Sequence, residues 1–186
     1  MSQPAKKPAT YDDILALPEN VVGEILDGEL HTHPRPATRH SAAASAIGEE
    51  LGPPFKRGRG GPGGWMILDE PELHMGRDVM VPDLAGWRRE RMPELPDAAY
   101  IELAPDWACD VLSPSTRSTD RTLKLRLYAR HLVPHLWYVD PDARTLEVLR
   151  LDGDTYRVAS THADGERVRA EPFGAVELDL AVLWAR

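Results

Sequence analysis

The stretch DWACDVLSPSTRSTDRTLKLRLYARHLVPHLWYVD, Asp106 to Asp140, decides how the chain folds. Its opening, DWACDVLS, is a short apolar run bounded by Asp and Pro and reads as a strand. From Arg117 to Leu132 apolar residues such as Leu123, Leu127 and Ala129 recur among charged neighbours, with Pro134 just beyond, which is the pattern of a helix. HLWYVD, His135 to Asp140, returns as a strand. Strand, helix and strand in succession are the material of an α/β domain. Within the first strand Asp110 stands between Cys109 and Val111, where an ionised carboxylate facing a core is costly unless a partner or a metal joins it. A strand open to solvent on that side is the simpler explanation.

Working outward, residues 1–9 are polar and proline-containing and are expected to be a disordered tail, with residues 10–186 forming one domain. Thr10-Tyr11-Asp12-Asp13 has capping-box spacing and opens a short helix through Leu17 that Pro18 stops. VVGEILDGELHTHP reads as a hairpin about Asp27-Gly28, and Glu24 sits in its first strand. TRHSAAASAIGEEL, Thr38 to Leu51, has high helix propensity and ends at Pro53-Pro54. KRGRGGPGG, Lys56 to Gly64, has five glycines in its last seven residues and reads as a loop. WMILDEPELHM and VMVPDLAGW add short strands, RTLEVLRLDGDTYRVAS a second Asp-Gly hairpin, and VELDLAVLW a strand or last short helix. The order predicts an α/β fold, a mixed central β-sheet flanked by helices.

Composition excludes several classes. No run of 18 apolar residues appears and MSQPAKKPA has no secretory pattern, so a soluble cytoplasmic protein that spans no membrane is expected. The single cysteine, Cys109, makes no internal disulfide or zinc finger, and its side chain points opposite to Asp110 on a regular strand, as a buried structural cysteine. A net charge of −8 argues against a surface that binds nucleic acid by charge throughout. A local basic cleft is compatible with it.

Three positions carry candidate chemistry. Pro82 holds the chain extended just before Asp83, so that Asp83 and Asp110 on neighbouring strands can aim two carboxylates at one spot. Two such carboxylates repel unless a cation joins them, and hard oxygen ligands with room for water suit Mg²⁺, with Mn²⁺ as a substitute. Lys124 supplies an ammonium able to orient water and neutralise charge on a phosphate. Asp120, Lys124 and Tyr128 follow at steps of four on one helical face. An ordinary surface pair of Asp120 with Lys124, contributing ~0.3–0.5 kcal/mol, has the same spacing.

These residues also carry a resemblance. Asp83 and the run DVLSPSTRSTDRTLKLRLYARHLVPHLWYVDP, with YDDILALP and GEILDGEL near the start and VELDLAVLW at the end, resemble the Uma family of restriction-endonuclease-like proteins, a branch of the PD-(D/E)XK nuclease superfamily. The resemblance implies a restriction-endonuclease-like core with Asp83 as the acid of the PD motif and Asp110 as the second acid. It also places Glu24 at the metal site. The superfamily lysine lies two residues after the second acid, where this chain has Leu112, and in the Uma branch it has moved to the following helix, which points to Lys124. Two departures stand out: Asp110 replaces the usual Glu, and His131-Leu132-Val133 replaces a glycine-valine pair. The activity implied is metal-assisted hydrolysis of a DNA phosphodiester, with Asp83, Asp110 and Glu24 holding Mg²⁺ and Lys124 orienting the water. Asp120 and Tyr128 would support the lysine. Lys124→Ala is expected to abolish cleavage and leave metal binding and folding nearly intact.

Lesser features complete the reading. Lys56, Arg57 and Arg59 on the glycine-rich loop, and Arg88, Arg89 and Arg91 after the Asp83 run, would grip DNA phosphates, or simply be solvated. His31 and His33 face one side of a strand; two ligands without a third make a poor Zn²⁺ site, and exposed strand histidines fit better. A catalytically silent binding or assembly module of the same fold is the alternative, and five tryptophans over a modest core are compatible with a homodimer.

Overall fold

The structure, a computed structural model, describes residues 7–184, so most of the expected N-terminal tail lies outside the described residues. At Ala9 the backbone N–H already donates to Gly28 O at 2.8 Å. Helix α1 (Tyr11–Leu15) starts where the capping residues predict, with the Asp13 carboxylate accepting from the Thr10 N–H at 2.7 Å and hydroxyl at 3.0 Å. Strands β1 (Val21–Leu26) and β2 (Glu29–Pro34) form the expected hairpin. Its two turn residues, Asp27 and Gly28, have φ of 55° and 83°, the left-handed pair that twists with the flanking strands.

Helix α2 (Thr38–Leu51) buries Ala43, Ile47 and Leu51 on one stripe and passes into a π-helical turn at Gly52–Lys56. Next come β3 (Trp65–Asp69), β4 (Leu73–Met75), β5 (Asp78–Met80), β6 (Leu84–Arg88) and β7 (Trp107–Val111). The helical segment after β7 comprises α3 (Arg117–Thr119), a π-helical turn at Asp120–Lys124, and α4 (Leu125–Arg130). Strands β8 (His135–Asp140), β9 (Thr145–Asp152), β10 (Thr155–Ala163), β11 (Arg167–Val168) and β12 (Leu178–Asp179) precede a closing 3₁₀ turn at Leu180–Leu183. The final apolar stretch is thus both a strand and a short helix.

The expected mixed sheet has six strands in the order β10-β9-β8-β7-β6-β3, with β7 and β8 parallel across the helical crossover and the other neighbours antiparallel. A second, four-stranded sheet, β2-β1-β5-β4, was not apparent from the sequence. Strand alternation divides the core between the two faces of the larger sheet. Trp107, Cys109 and Val111 of β7 join Trp137, Val139 and residues of α2 in one cluster, where Phe173 packs between Trp65, Trp107 and Trp137 with ring centroids 4.7–5.6 Å away. Ala108 joins Leu136, Tyr138, Leu127 and Tyr128 in the other, beneath α4. Cys109 is therefore a core residue, and Asp110 faces the helix.

Candidate active site

The two sheets are joined through Val81-Pro82-Asp83, between the end of β5 and the start of β6, and the candidate site lies at this seam. Asp110 projects from β7 with 2% of its surface exposed, beside its register partner Tyr138. Lys124, at the end of the π-helical turn, reaches down to it: Nζ lies 3.0 Å from Asp110 Oδ1 and 3.1 Å from Glu24 Oε1 of β1. The ammonium donates to Asp110 Oδ1 and, at 3.4 Å, to Val81 O, while Glu24 is its ion-pair partner. Asp120 Oδ1 is 3.7 Å from the same nitrogen, and the Tyr128 hydroxyl donates to Asp110 Oδ1 at 3.3 Å. The π-helical turn is locked from the sheet, because Asp120 O accepts both the Leu125 N–H and the Tyr138 hydroxyl, the latter at 2.6 Å.

One ammonium thus serves three buried carboxylates, Glu24, Asp110 and Asp120. Burial pushes the Asp110 carboxyl up to about 8; Lys124 opposes that shift, while Asp120, Asp83 and Glu24 add to it. Glu24 goes the other way. Burial raises it, but Lys124, His33 and the Val81 N–H, which donates to Oε1 at 2.8 Å, bring it down to about 2. Burial works against the Lys124 charge, yet Asp110 and Glu24 hold its pKa well above the ordinary lysine value.

Asp83 occupies the bend before β6, not the strand itself. Its Oδ2 accepts the Val111 N–H at 2.6 Å, which ties the first acid to the strand carrying the second. Asp83, Asp110, Asp120 and Lys124 all border one cleft of about 280 Å³, walled by His33 to Ala37, His40 and the Ser113-Pro114-Ser115-Thr116 loop. Asp110 Oδ2 is buried there without a hydrogen-bond partner.

The family model described as "Uma2: Putative restriction endonuclease" matches residues 9–182. The chain belongs to the Uma2 family. A solved structure described as "a putative nuclease belonging to DUF820", from Anabaena variabilis ATCC 29413, superposes with a TM-score of 0.75 at 26% identity, covering 95% of this chain and 98% of that one. No curated protein matches the chain.

In this Uma2 chain the residues expected to act together are brought together in two steps: Glu24, Asp110, Asp120, Lys124 and Tyr128 in direct contact, and Asp83 facing the same cleft. Glu24 does not border the cleft; Lys124 and Val81 engage its Oε1 and its Oε2 lies 3.6 Å from His33 Nε2. His33, expected to be an exposed strand histidine, is turned inward to that carboxylate and lines the cleft. His40, on the first turn of α2, was not singled out at all: Nε2 is 3.3 Å from Asp83 Oδ1. Nothing in the sequence marks it.

The basic residues expected to grip phosphates lie elsewhere. Lys56 and Arg57 line a separate groove between α2 and β3, the Arg88 guanidinium stacks 4.1 Å above the Trp65 ring, and Arg91 pairs with Asp106 at 2.6 Å. Arg59 is exposed on the glycine-rich loop.

As for a metal, no three His, Cys, Asp or Glu side chains among the described residues form a ready ligand cluster. The pair Asp83 and Asp110, with one buried carboxylate oxygen unpartnered, is the donor set Mg²⁺ accepts when water and phosphate oxygens complete its shell. The residues present fit such an ion.

Proposed function

We propose that this chain is a metal-dependent nuclease that hydrolyses DNA phosphodiester bonds, using Mg²⁺ or Mn²⁺ held by Asp83 and Asp110. The observation that carries this reading is Asp110 Oδ2, a buried carboxylate oxygen facing the cleft without a donor, beside a second acid and a buried lysine. Buried polar atoms are nearly always satisfied, and a bound cation is one of the groups that completes an oxygen left without a donor. The cation, when bound, supplies Lewis-acid stabilisation of charge on the phosphoryl oxygens.

The remaining work falls to the chain's own groups. Lys124 has three N–H donors; Glu24 is an ion-pair partner, one donor goes to Asp110 and one, the most weakly held, to Val81 O at 3.4 Å. That donor is the one to turn toward a water or a phosphate oxygen, while Asp110 and Glu24 keep the nitrogen in place. Glu24, for which the family resemblance implied a place at the metal, is assigned here to holding the lysine, because its Oε1 is already taken. Asp120 adds charge behind the ammonium and Tyr128 fixes the Asp110 carboxylate.

A cytoplasmic protein acting on DNA as a homodimer belongs to the same reading. No described helix is long and apolar enough to cross a membrane. The tryptophans lend the dimer no support: Trp65, Trp87, Trp107 and Trp137 are fully buried and Trp184 packs against the core. The competing reading, a silent assembly module, draws on the saturation of Lys124 by buried acceptors.

Supercoiled plasmid incubated with Mg²⁺ or Mn²⁺ separates the two. Relaxation or linearisation by the wild type, and none by Asp83→Ala, establishes the nuclease. Absence of cutting under both metals, together with no metal uptake, establishes the silent module.

A further inference from the structure

We infer that His40 is a positioning residue for Asp83, fixing by a hydrogen bond from its Nε2–H which carboxylate oxygen is turned toward the cleft. The inference rests on the metal-site reading above. Asp83 is clamped from two sides: Oδ2 by the Val111 N–H at 2.6 Å, and Oδ1 by His40 Nε2 at 3.3 Å. The two clamps come from different elements, strand β7 and helix α2, so the first acid is placed relative to both. Without His40 the carboxylate retains one anchor and is free to rotate about it.

A second observation separates this role from ordinary packing. His40 Nδ1 is buried and has no hydrogen-bond partner among the described residues. Asp83 is the ion-pair partner of the ring among the described residues. The ring nonetheless keeps its place at the cleft wall, with its bonded nitrogen on Asp83. Partners that orient a ligand from behind typically change metal affinity 10–100-fold when removed.

The test uses the full chain, with Mn²⁺ as the probe. His40→Ala is expected to weaken Mn²⁺ binding, read by electron paramagnetic resonance titration, by at least ~10-fold in protein that remains folded. His40→Gln, whose terminal amide also donates, is expected to recover most of the affinity. Equal affinity for the wild type and His40→Ala overturns the proposal. So does a fall in stability that Gln does not repair alongside the affinity. A readout without metal keeps the proposal separate from the nuclease reading: ring ¹⁵N shifts are expected to show His40 protonated at Nε2 and to move in Asp83→Asn. An Nδ1-protonated ring, or one insensitive to Asp83→Asn, overturns the positioning role. The expected shifts in a wild type that takes up no Mn²⁺ uphold the contact and overturn the metal site instead.

Discussion

Replacing Lys124 by methionine keeps much of the side chain's length and removes its charge. Among the described residues the ammonium is the one cation that reaches all of Glu24, Asp110 and Asp120, whose side chains are 3%, 3% and 6% exposed. Removing one partner of a buried ion pair costs about 3–5 kcal/mol, because the charge left behind has neither water nor counter-ion. Domains of this size are stable by roughly 5–15 kcal/mol, so Lys124→Met is expected to forfeit about a fifth or more of the total. Burial thus changes the sequence-based expectation that a Lys124 variant folds normally. Urea denaturation followed by tryptophan fluorescence reads the loss directly. The double variant Lys124→Met/Glu24→Gln is the decisive control: Glu24 is the carboxylate held ionised, and with it neutralised the protein is expected to be more stable than Lys124→Met alone, by on the order of 1–3 kcal/mol, as coupled neighbours are. A single variant within ~1 kcal/mol of wild type, or a double variant less stable than the single, refutes the view that this ammonium is what permits three buried carboxylates.

Three further outcomes follow from the same structure. Asp110→Asn removes the buried oxygen that lacks a donor, and is expected to keep or raise the denaturation midpoint while abolishing metal-dependent plasmid cutting; retained cutting speaks against Asp110 as a ligand. Phe173→Ala empties the space between Trp65, Trp107 and Trp137 and is expected to cost about 3–5 kcal/mol, a fall in melting temperature on the order of 10 °C by calorimetry. His135 is held below the ordinary histidine value, first by burial and then by Arg150 and Arg88, with Glu171 and Asp106 opposing. Its neutral form is the folded one, so the unfolded chain takes up the proton more readily and stability falls as the pH drops through the unfolded pKa near ~6.5. Urea midpoints measured between pH 7.5 and 5.5 are expected to fall less in His135→Gln than in the wild type.

Local signals were the legible ones. The Asp27-Gly28 turn and strand His135–Asp140 coincide with their sequence-based ranges, because turn chemistry and flanking prolines act within a few residues. Helix Thr38–Leu51 starts where propensity predicts but is not ended by Pro53-Pro54, which lie in the π-helical turn that continues it. The second hairpin shows the limit of such signals: its two-residue turn is Gly153-Asp154, with Asp152 still paired to Thr155, so the dipeptide marks the neighbourhood and not the register. The four-stranded sheet depends on the pairing of Ile25 with Val79, a contact between distant segments that no local pattern announces. The helix expected over Arg117–Leu132 contains a π-helical turn that Tyr138 helps to hold from the next strand, and it ends at Arg130, with Leu132 at φ 57°. At the site, the acids and the lysine were marked by residue type in unfavourable surroundings. His33 and His40 were not, since a histidine on a strand or a helix start carries no sign of which carboxylate it will meet.

The lysine's origin has a consequence for how the site is built. Leu112, two residues after Asp110, is 2% exposed and belongs to the apolar cluster beneath α4, together with Leu127 and Tyr128. An ammonium there would displace core contacts and lie among groups unable to accept its hydrogen bonds. Delivered from the helix, the same charge arrives from above the strand and meets Asp110 Oδ1, Glu24 Oε1 and Val81 O together. Its height over β7 is then set by the packing of Leu127, Tyr128 and Ala129, one turn further along, and by the hold of Tyr138 on the Asp120 carbonyl. Strand pleat fixes the second acid, helix packing fixes the lysine, and the link between the two sheets fixes the first acid. The distances among the three therefore depend on tertiary packing across the seam between the two sheets.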